Sequence, residues 1–198
     1  GESLEAVYGV VDRTAVIEMS AAAGLTLVPE EKRDPMNTTT YGVGELILDA
    51  IRRGCRSFIV GIGGSATNDG GTGMLSALGL DFLDKNGEKI AFGARGLDAL
   101  ASVSAENVIP ELRECSFRVA CDVNNPLCGE RGCSAVYAPQ KGATPDVVER
   151  LDQGLKNFAR VVNPEAAHVP GAGAAGGLGY ALQAVLPHWG HHESADSV

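Results

Sequence analysis

Ser57–Met74 reads SFIVGIGGSATNDGGTGM, and the reading of this stretch decides the fold. Phe58–Val60 is a short branched apolar run of the kind that makes a buried strand. It enters a segment with Gly61, Gly63, Gly64, Gly70, Gly71 and Gly73, among which stand Ser65, Thr67, Asn68 and Asp69. The following TGMLSALGL has helical spacing at Met74, Leu75 and Leu78. A loop between a buried strand and a helix directs free N–H groups outward, and glycines let a ligand approach the backbone. Strand, glycine-rich loop and helix therefore predict an α/β protein with an anion-binding turn, rather than a tight packing turn only.

The flanking sequence repeats the alternation. TAVIEMS, from Thr14, reads as a buried strand that runs into a helical turn stopped by Gly24. In TTTYGVGELILDAIRRG, Thr38 or Thr39 is placed to cap a helix with Leu46, Ile47, Ala50 and Ile51 on one face and Gly54 at its end. LDFLDKNGEKI alternates around Asn86-Gly87, the dipeptide that most favours a two-residue hairpin turn. SFRVACDV is read as another buried strand, ending on Asp122. The clearest helix begins at Thr144-Pro145, with Val148, Leu151, Leu155, Phe158 and Val162 as its buried stripe. A final helix from AGGLGYALQAVL is weakened at its start by five glycines between Gly171 and Gly179. The expected fold is α/β: a mixed, mostly parallel sheet flanked by helices, with an added β-hairpin, in one domain over residues 1–198. Residues 188–198 are expected to form a loose tail.

Composition narrows the function. The 198 residues carry a net charge of −9 at pH 7, which gives phosphate-backbone attraction no global support, so no nucleic-acid partner is expected. No apolar run approaches the roughly 20 residues of a spanning helix, and GESLEAVYGV lacks a signal-peptide pattern. A cytoplasmic protein with no membrane partner is expected. Five cysteines without a C-x-x-C pair read as reduced and structural, with Cys121 beside Asp122 the one to watch as a reactive thiol. His188, His191, His192 and Glu193 do not share a helical register and are not read as a metal site.

Two glycine patterns match the dinucleotide fingerprint in letters. Gly61-x-Gly63-x-x-Ala66 has Asp81 downstream, but Asn68-Asp69-Gly70-Gly71 would fall in the first helical turns and break them. Gly171-x-Gly173-x-x-Gly176 follows no strand. Both are set aside, and a dinucleotide-dependent oxidoreductase remains an alternative, as does a non-catalytic module that binds a small anion. A second polar constellation lies in VACDVNNPLCGERGCSAVYAPQKGA. Asp122, at a strand end and followed by Asn124, stands where open α/β sheets place their ligand crevice, although turn formation would also account for both residues. Lys141 offers a cation for phosphate or carboxylate, against the plainer alternative of a solvated surface charge.

The segments AVIEMSAAAGL, TTTYGVGELILDAIRRG, GIGGSATNDGGTGM, VACDVNNPLCG, APQKGA and PGAGAAGGLG, in this order over residues 15–179, resemble the bacterial type-I glycerate kinases. Ala23, Cys133 and Ala138 depart from residues usual in that family. The resemblance implies transfer of the γ-phosphate of ATP to a hydroxyl of D-glycerate, with Mg²⁺ as the accompanying ion. It also implies a two-lobed protein of which this region is the inserted lobe, because the family's Asp-Ser-Phe-Lys-Gly and Thr-Gly-Glu-Gly type loops do not occur here. The missing lobe is then a partner, and the chain alone is expected to be inactive. On this reading Asp69 and Asp122 are the catalytic acids, one as base and either as Mg²⁺ ligand. Gly63, Gly64, Ser65, Thr67, Asn68, Gly70, Gly71, Asn124 and Lys141 would bind glycerate's carboxylate or the phosphates.

Overall fold

The computed structural model describes residues 3–188. Its main sheet has four strands: β1 (Gly9–Val11), β2 (Thr14–Glu18), β3 (Ser57–Gly61) and β6 (Ser116–Ala120), in the order β1-β2-β3-β6. β1 runs antiparallel to β2, while β2, β3 and β6 are parallel. Their register aligns Glu18, Gly61 and Ala120, so the three parallel strands end together and send their outgoing loops from one edge.

Alternation within the strands explains the layering. Ala15, Ile17, Phe58 and Val60 are buried on one face, where Phe58 stacks on Phe117 with ring centroids 4.8 Å apart. On the other face Val16 is 39% exposed and Ile59, in the central strand, is half-buried. Helices cover the first face. α1 (Ser20–Ala23) and α2 (Tyr41–Arg52) connect β2 to β3, and α3 (Thr72–Ala77) leaves the glycine-rich loop. Val43, Ile47, Ala50 and Ile51 of α2 are buried, whereas Leu46, expected on that stripe, is half-buried. α2 and α3 meet at Gly44, where a Cβ would collide with the Met74 carbonyl oxygen and the Ala77 methyl.

The hairpin forms in a different shape from the one expected. β4 (Asp81–Leu83) pairs along its length with β5 (Ser102–Ser104), a strand that sequence periodicity missed. The arm returning from Asn86-Gly87 contributes only the Leu83–Lys89 bridge. Only Gly87 has positive φ (79°); the expected two-residue turn needs it at Asn86 as well, and here Asp84 instead organises the turn by accepting from the Asn86 and Glu88 N–H groups. The expected strand ending on Asp122 stops at Ala120 and is an edge strand with Val119 as its one buried residue.

α4 (Cys133–Tyr137) is short, and α5 (Pro145–Val162) follows the expected stripe, with Leu151, Leu155 and Phe158 buried. Thr144 occupies the N-cap position of α5 without a side-chain capping bond, leaving Asp146 to complement the helix start. The last helix, α6 (Ala174–Tyr180), is broken by three left-handed residues, Ala175, Gly176 and Gly177, before a regular turn resumes. The loose tail and His191, His192 and Glu193 lie outside the described residues. Among the described residues no helix is long and apolar enough to cross a membrane.

Candidate functional site

Three loops leave the common strand edge: Met19–Gly24 after β2, Ile62–Gly71 after β3 and Cys121–Gly132 after β6. The first two are sewn together. Met19 N–H donates to the Gly61 carbonyl at 2.9 Å, Leu25 N–H to Gly64 at 2.8 Å and Ala66 N–H to Ala23 at 2.9 Å. In the loop after β3 only Gly63 and Gly64 are exposed, and every residue from Ser65 to Leu75 is buried. The expectation of an anion cradle running to Gly71 therefore narrows to its first two glycines. Gly70 N–H donates to Gly176 at 2.9 Å, and a Cβ on Gly71, which has φ 80°, would collide with Ala181. Gly70 and Gly71 serve packing.

Asp69 is fully buried, and its carboxylate is engaged from within. Oδ2 accepts from Thr40 N–H at 2.8 Å, Thr40 Oγ1–H at 2.9 Å, Gly73 N–H at 3.2 Å and Thr39 Oγ1–H at 3.3 Å, and Oδ1 accepts from Gly71 N–H at 3.0 Å. Four of these bonds fall on Oδ2 and one on Oδ1, so most of the roughly four lone-pair directions of the carboxylate are spent within the protein. Asp69 ties the start of α2 to the start of α3, and the structure does not expose it for the role of base or Mg²⁺ ligand expected of it. The expected cap of α2 is also reassigned. Thr40 stands at the N-cap and makes no cap bond of its own; its hydroxyl donates to Asp69 and accepts from Met74 N–H at 2.9 Å.

Lys141 is 2% exposed, which excludes the solvated surface charge. Its ammonium donates to Ser65 Oγ at 2.8 Å and to the Thr67 carbonyl at 2.6 Å, so it does join the glycine-rich loop, but from underneath. Burial lowers its pKa from 10.5 to about 8, with Cys133 and Asp69 opposing that shift. Asn68 is also interior: Nδ2 donates to Ser134 Oγ at 2.9 Å. Ser65, Thr67, Asn68 and Lys141 thus form a buried polar layer under Gly63–Gly64, not the ligand surface expected of them.

Asp122 and Asn124 are exposed, and neither side chain has a hydrogen-bond partner among the described residues. They line an open cavity of about 790 Å³ with Val123, Asn125, Gly171 and Gln183. The Cys121 thiol, at its wall, donates to the Val123 carbonyl at 3.3 Å. Gly171, which lines the cavity, begins a glycine-rich segment that also reaches the loops after β6 and β3: Cβ atoms on Gly173 and Gly176 would collide with the carbonyls of Pro126 and Thr67. Asp122 and Asn124 carry hard oxygens suited to Mg²⁺. Among the described residues no group of three or more His, Cys, Asp or Glu side chains is placed to hold a metal.

Glu18 escaped the sequence reading. It ends β2 at the level of Gly61, is exposed, and has no hydrogen-bond or ion-pair partner among the described residues. Its signal was available, since an acid closing an apolar run matches the placement of Asp122. The dinucleotide alternative finds no support. α3 begins at Thr72, beyond the Gly61–Ala66 pattern, and Asp81 is engaged by Lys89 at 2.6 Å and Asn107 at 2.7 Å.

A sequence model described as the glycerate kinase family matches residues 1–192. The chain belongs to the glycerate kinase family. It is 50% identical to the glycerate 2-kinase of Escherichia coli K12 over 193 residues, covering 94% of this chain and 50% of that protein. Against the glycerate kinase of Bacillus subtilis 168 it is 49% identical over 192 residues, again 94% of this chain and 50% of that one. A crystal structure of a candidate glycerate kinase 2 from Salmonella typhimurium LT2 superposes with a TM-score of 0.90 at 46% identity, covering 98% of this chain and 53% of the other. The chain spans about half the length of the curated relatives it matches.

Proposed function

We propose that this chain is one lobe of an ATP-dependent glycerate kinase, which transfers the γ-phosphate of ATP to a hydroxyl of D-glycerate and acts in the cytoplasm. The observation that carries the proposal is the 50% identity to a glycerate 2-kinase over nearly the whole chain. Geometry supports it: three parallel strands end together, and their loops present Glu18, Gly63, Gly64, Asp122 and Asn124 at the surface. Ligand crevices of open α/β sheets lie at this edge.

Phosphoryl transfer asks a protein mainly to hold the reactants in line and offset charge. Asp122 is the acid free to do so, either accepting the proton of the attacking hydroxyl or, with Asn124, holding Mg²⁺. Held by Asp122 and Asn124, Mg²⁺ would supply positive charge to offset that of the phosphates. Gly63 and Gly64 offer backbone N–H groups to an anion. Lys141 holds their loop through Ser65 and Thr67 without touching the ligand.

The lobe reading draws support from the sheet as well. Mostly parallel sheets are ordinarily covered on both faces, and here Val16 on the second face is 39% exposed while the chain is half the length of its relatives. Glycerate-dependent ADP formation is the test. The full-length protein should show it and the 198-residue chain alone should not. Ordinary kinase turnover by the chain alone would sink the lobe reading, and none from the full-length protein would sink the kinase.

A further inference from the structure

Resting on that kinase reading, we propose that Glu18 binds the acceptor substrate: its carboxylate takes a hydrogen bond from a hydroxyl of a small hydroxy acid whose own carboxylate lies on Gly63 and Gly64. The first observation is Gly61. Its φ lies outside the left-handed region, so backbone conformation does not demand glycine there. The three atoms nearest to a Cβ at Gly61 all belong to the Glu18 carboxyl group: Oε2 in outright collision, Cδ and Oε1 each at 2.7 Å. The central strand is bare at this point so that the Glu18 carboxylate can lie across it.

The second observation is the company Glu18 keeps. Ser20 follows it into the next loop, and a Cβ built on Gly64 would stand 3.8 Å from Ser20 Cβ. Nothing lies within 4 Å of the corresponding position on Gly63. Glu18, with its carboxylate against Gly61, and the two exposed glycines therefore stand at the same strand edge, and the carboxylate spends no hydrogen bond on the protein among the described residues. Charge then selects the ligand. Exposed N–H groups favour an anion, while the neighbouring carboxylate repels one unless the same molecule also presents a hydrogen-bond donor. A short hydroxy acid has both ends; a fully ionised phosphate has only one.

The test uses the full-length kinase that carries this chain. Glu18→Gln keeps shape and removes the charge, and Gly61→Ala pushes the carboxylate aside. Both should raise KM for D-glycerate roughly 10- to 100-fold and leave KM for ATP unchanged, as loss of a charged hydrogen bond requires. Independently of turnover, D-glycerate should raise the melting temperature of the wild type and not that of Glu18→Gln, while Mg·ATP stabilises both. Unchanged glycerate KM and unchanged stabilisation in Glu18→Gln would overturn the assignment, as would loss of the Mg·ATP response in place of the glycerate response. A full-length protein that phosphorylates no glycerate yet is stabilised by it through Glu18 would defeat the kinase reading and leave this one standing.

Discussion

Asp69 and Asp122 are two acids on neighbouring loops with opposite solvent histories. Asp69 is interior and accepts five hydrogen bonds, so removing its charge leaves buried donors unsatisfied. Asp69→Asn should lose about 2–4 kcal/mol of stability in urea denaturation. Asp122 is exposed and unengaged among the described residues, so Asp122→Asn should leave the melting temperature unchanged and lower kcat of the full-length kinase by at least about 100-fold. Lys141 gives a pH signature. Its folded pKa of about 8 lies below the ordinary 10.5, so above pH 8 the unfolded chain binds more protons than the folded one, and stability rises with pH. Between pH 8 and 9 Lys141 should contribute about 1 kcal/mol of stability, measured as the difference between the wild type and Lys141→Met over that range. The thiols of Cys115, Cys128 and Cys133, which burial pushes up, oppose this gain from about pH 8, where the same thiols begin to ionise in the unfolded chain, so the lysine is read from the difference between the wild type and the variant.

Element by element, the strands and helices whose apolar residues recur with period two or 3.6 are those that sequence reading located: β2, β3, α2, α3 and α5. Where it failed, a competing contact decided. β5 is three residues long and exists because β4 needs a partner, which alternation in so short a segment does not announce. Asn86-Gly87 yields to an Asp84 side chain that collects the turn's N–H groups. The cap of α2 lies on Thr40 and serves Asp69, a residue 29 positions away, so no local capping rule finds it. The α2–α3 contact offers a test at this scale: Gly44→Val should cost at least about 2 kcal/mol and show it in thermal unfolding, because the Met74 carbonyl and Ala77 methyl leave no space.

Across the whole molecule the parallel register gathers Glu18, Gly61 and Ala120 at one edge and so determines where a site can be. The glycines that looked like one long cradle divide between two tasks. Gly63 and Gly64 face solvent, while Gly70, Gly71, Gly173 and Gly176 let backbone segments approach closely in the interior. On the proposed reading, the exposure of Val16 on one sheet face and the match to half of the length of the Escherichia coli relative fit a protein whose chemistry a second lobe completes.

The amino-acid sequence by itself determined the α/β alternation and the mostly parallel sheet, because hydrophobic period is a local property that the chain displays in order, and its ordered motifs carried the resemblance to glycerate kinases. Tertiary structure alone decided which polar residues of SFIVGIGGSATNDGGTGM meet solvent. Burial depends on what packs above each loop residue, and the segments that bury Asp69 and its neighbours, around Thr40, Lys141 and Gly176, come from remote parts of the chain. Glu18 emerged only through its pairing with Gly61, a contact made by strand register across 43 residues of sequence.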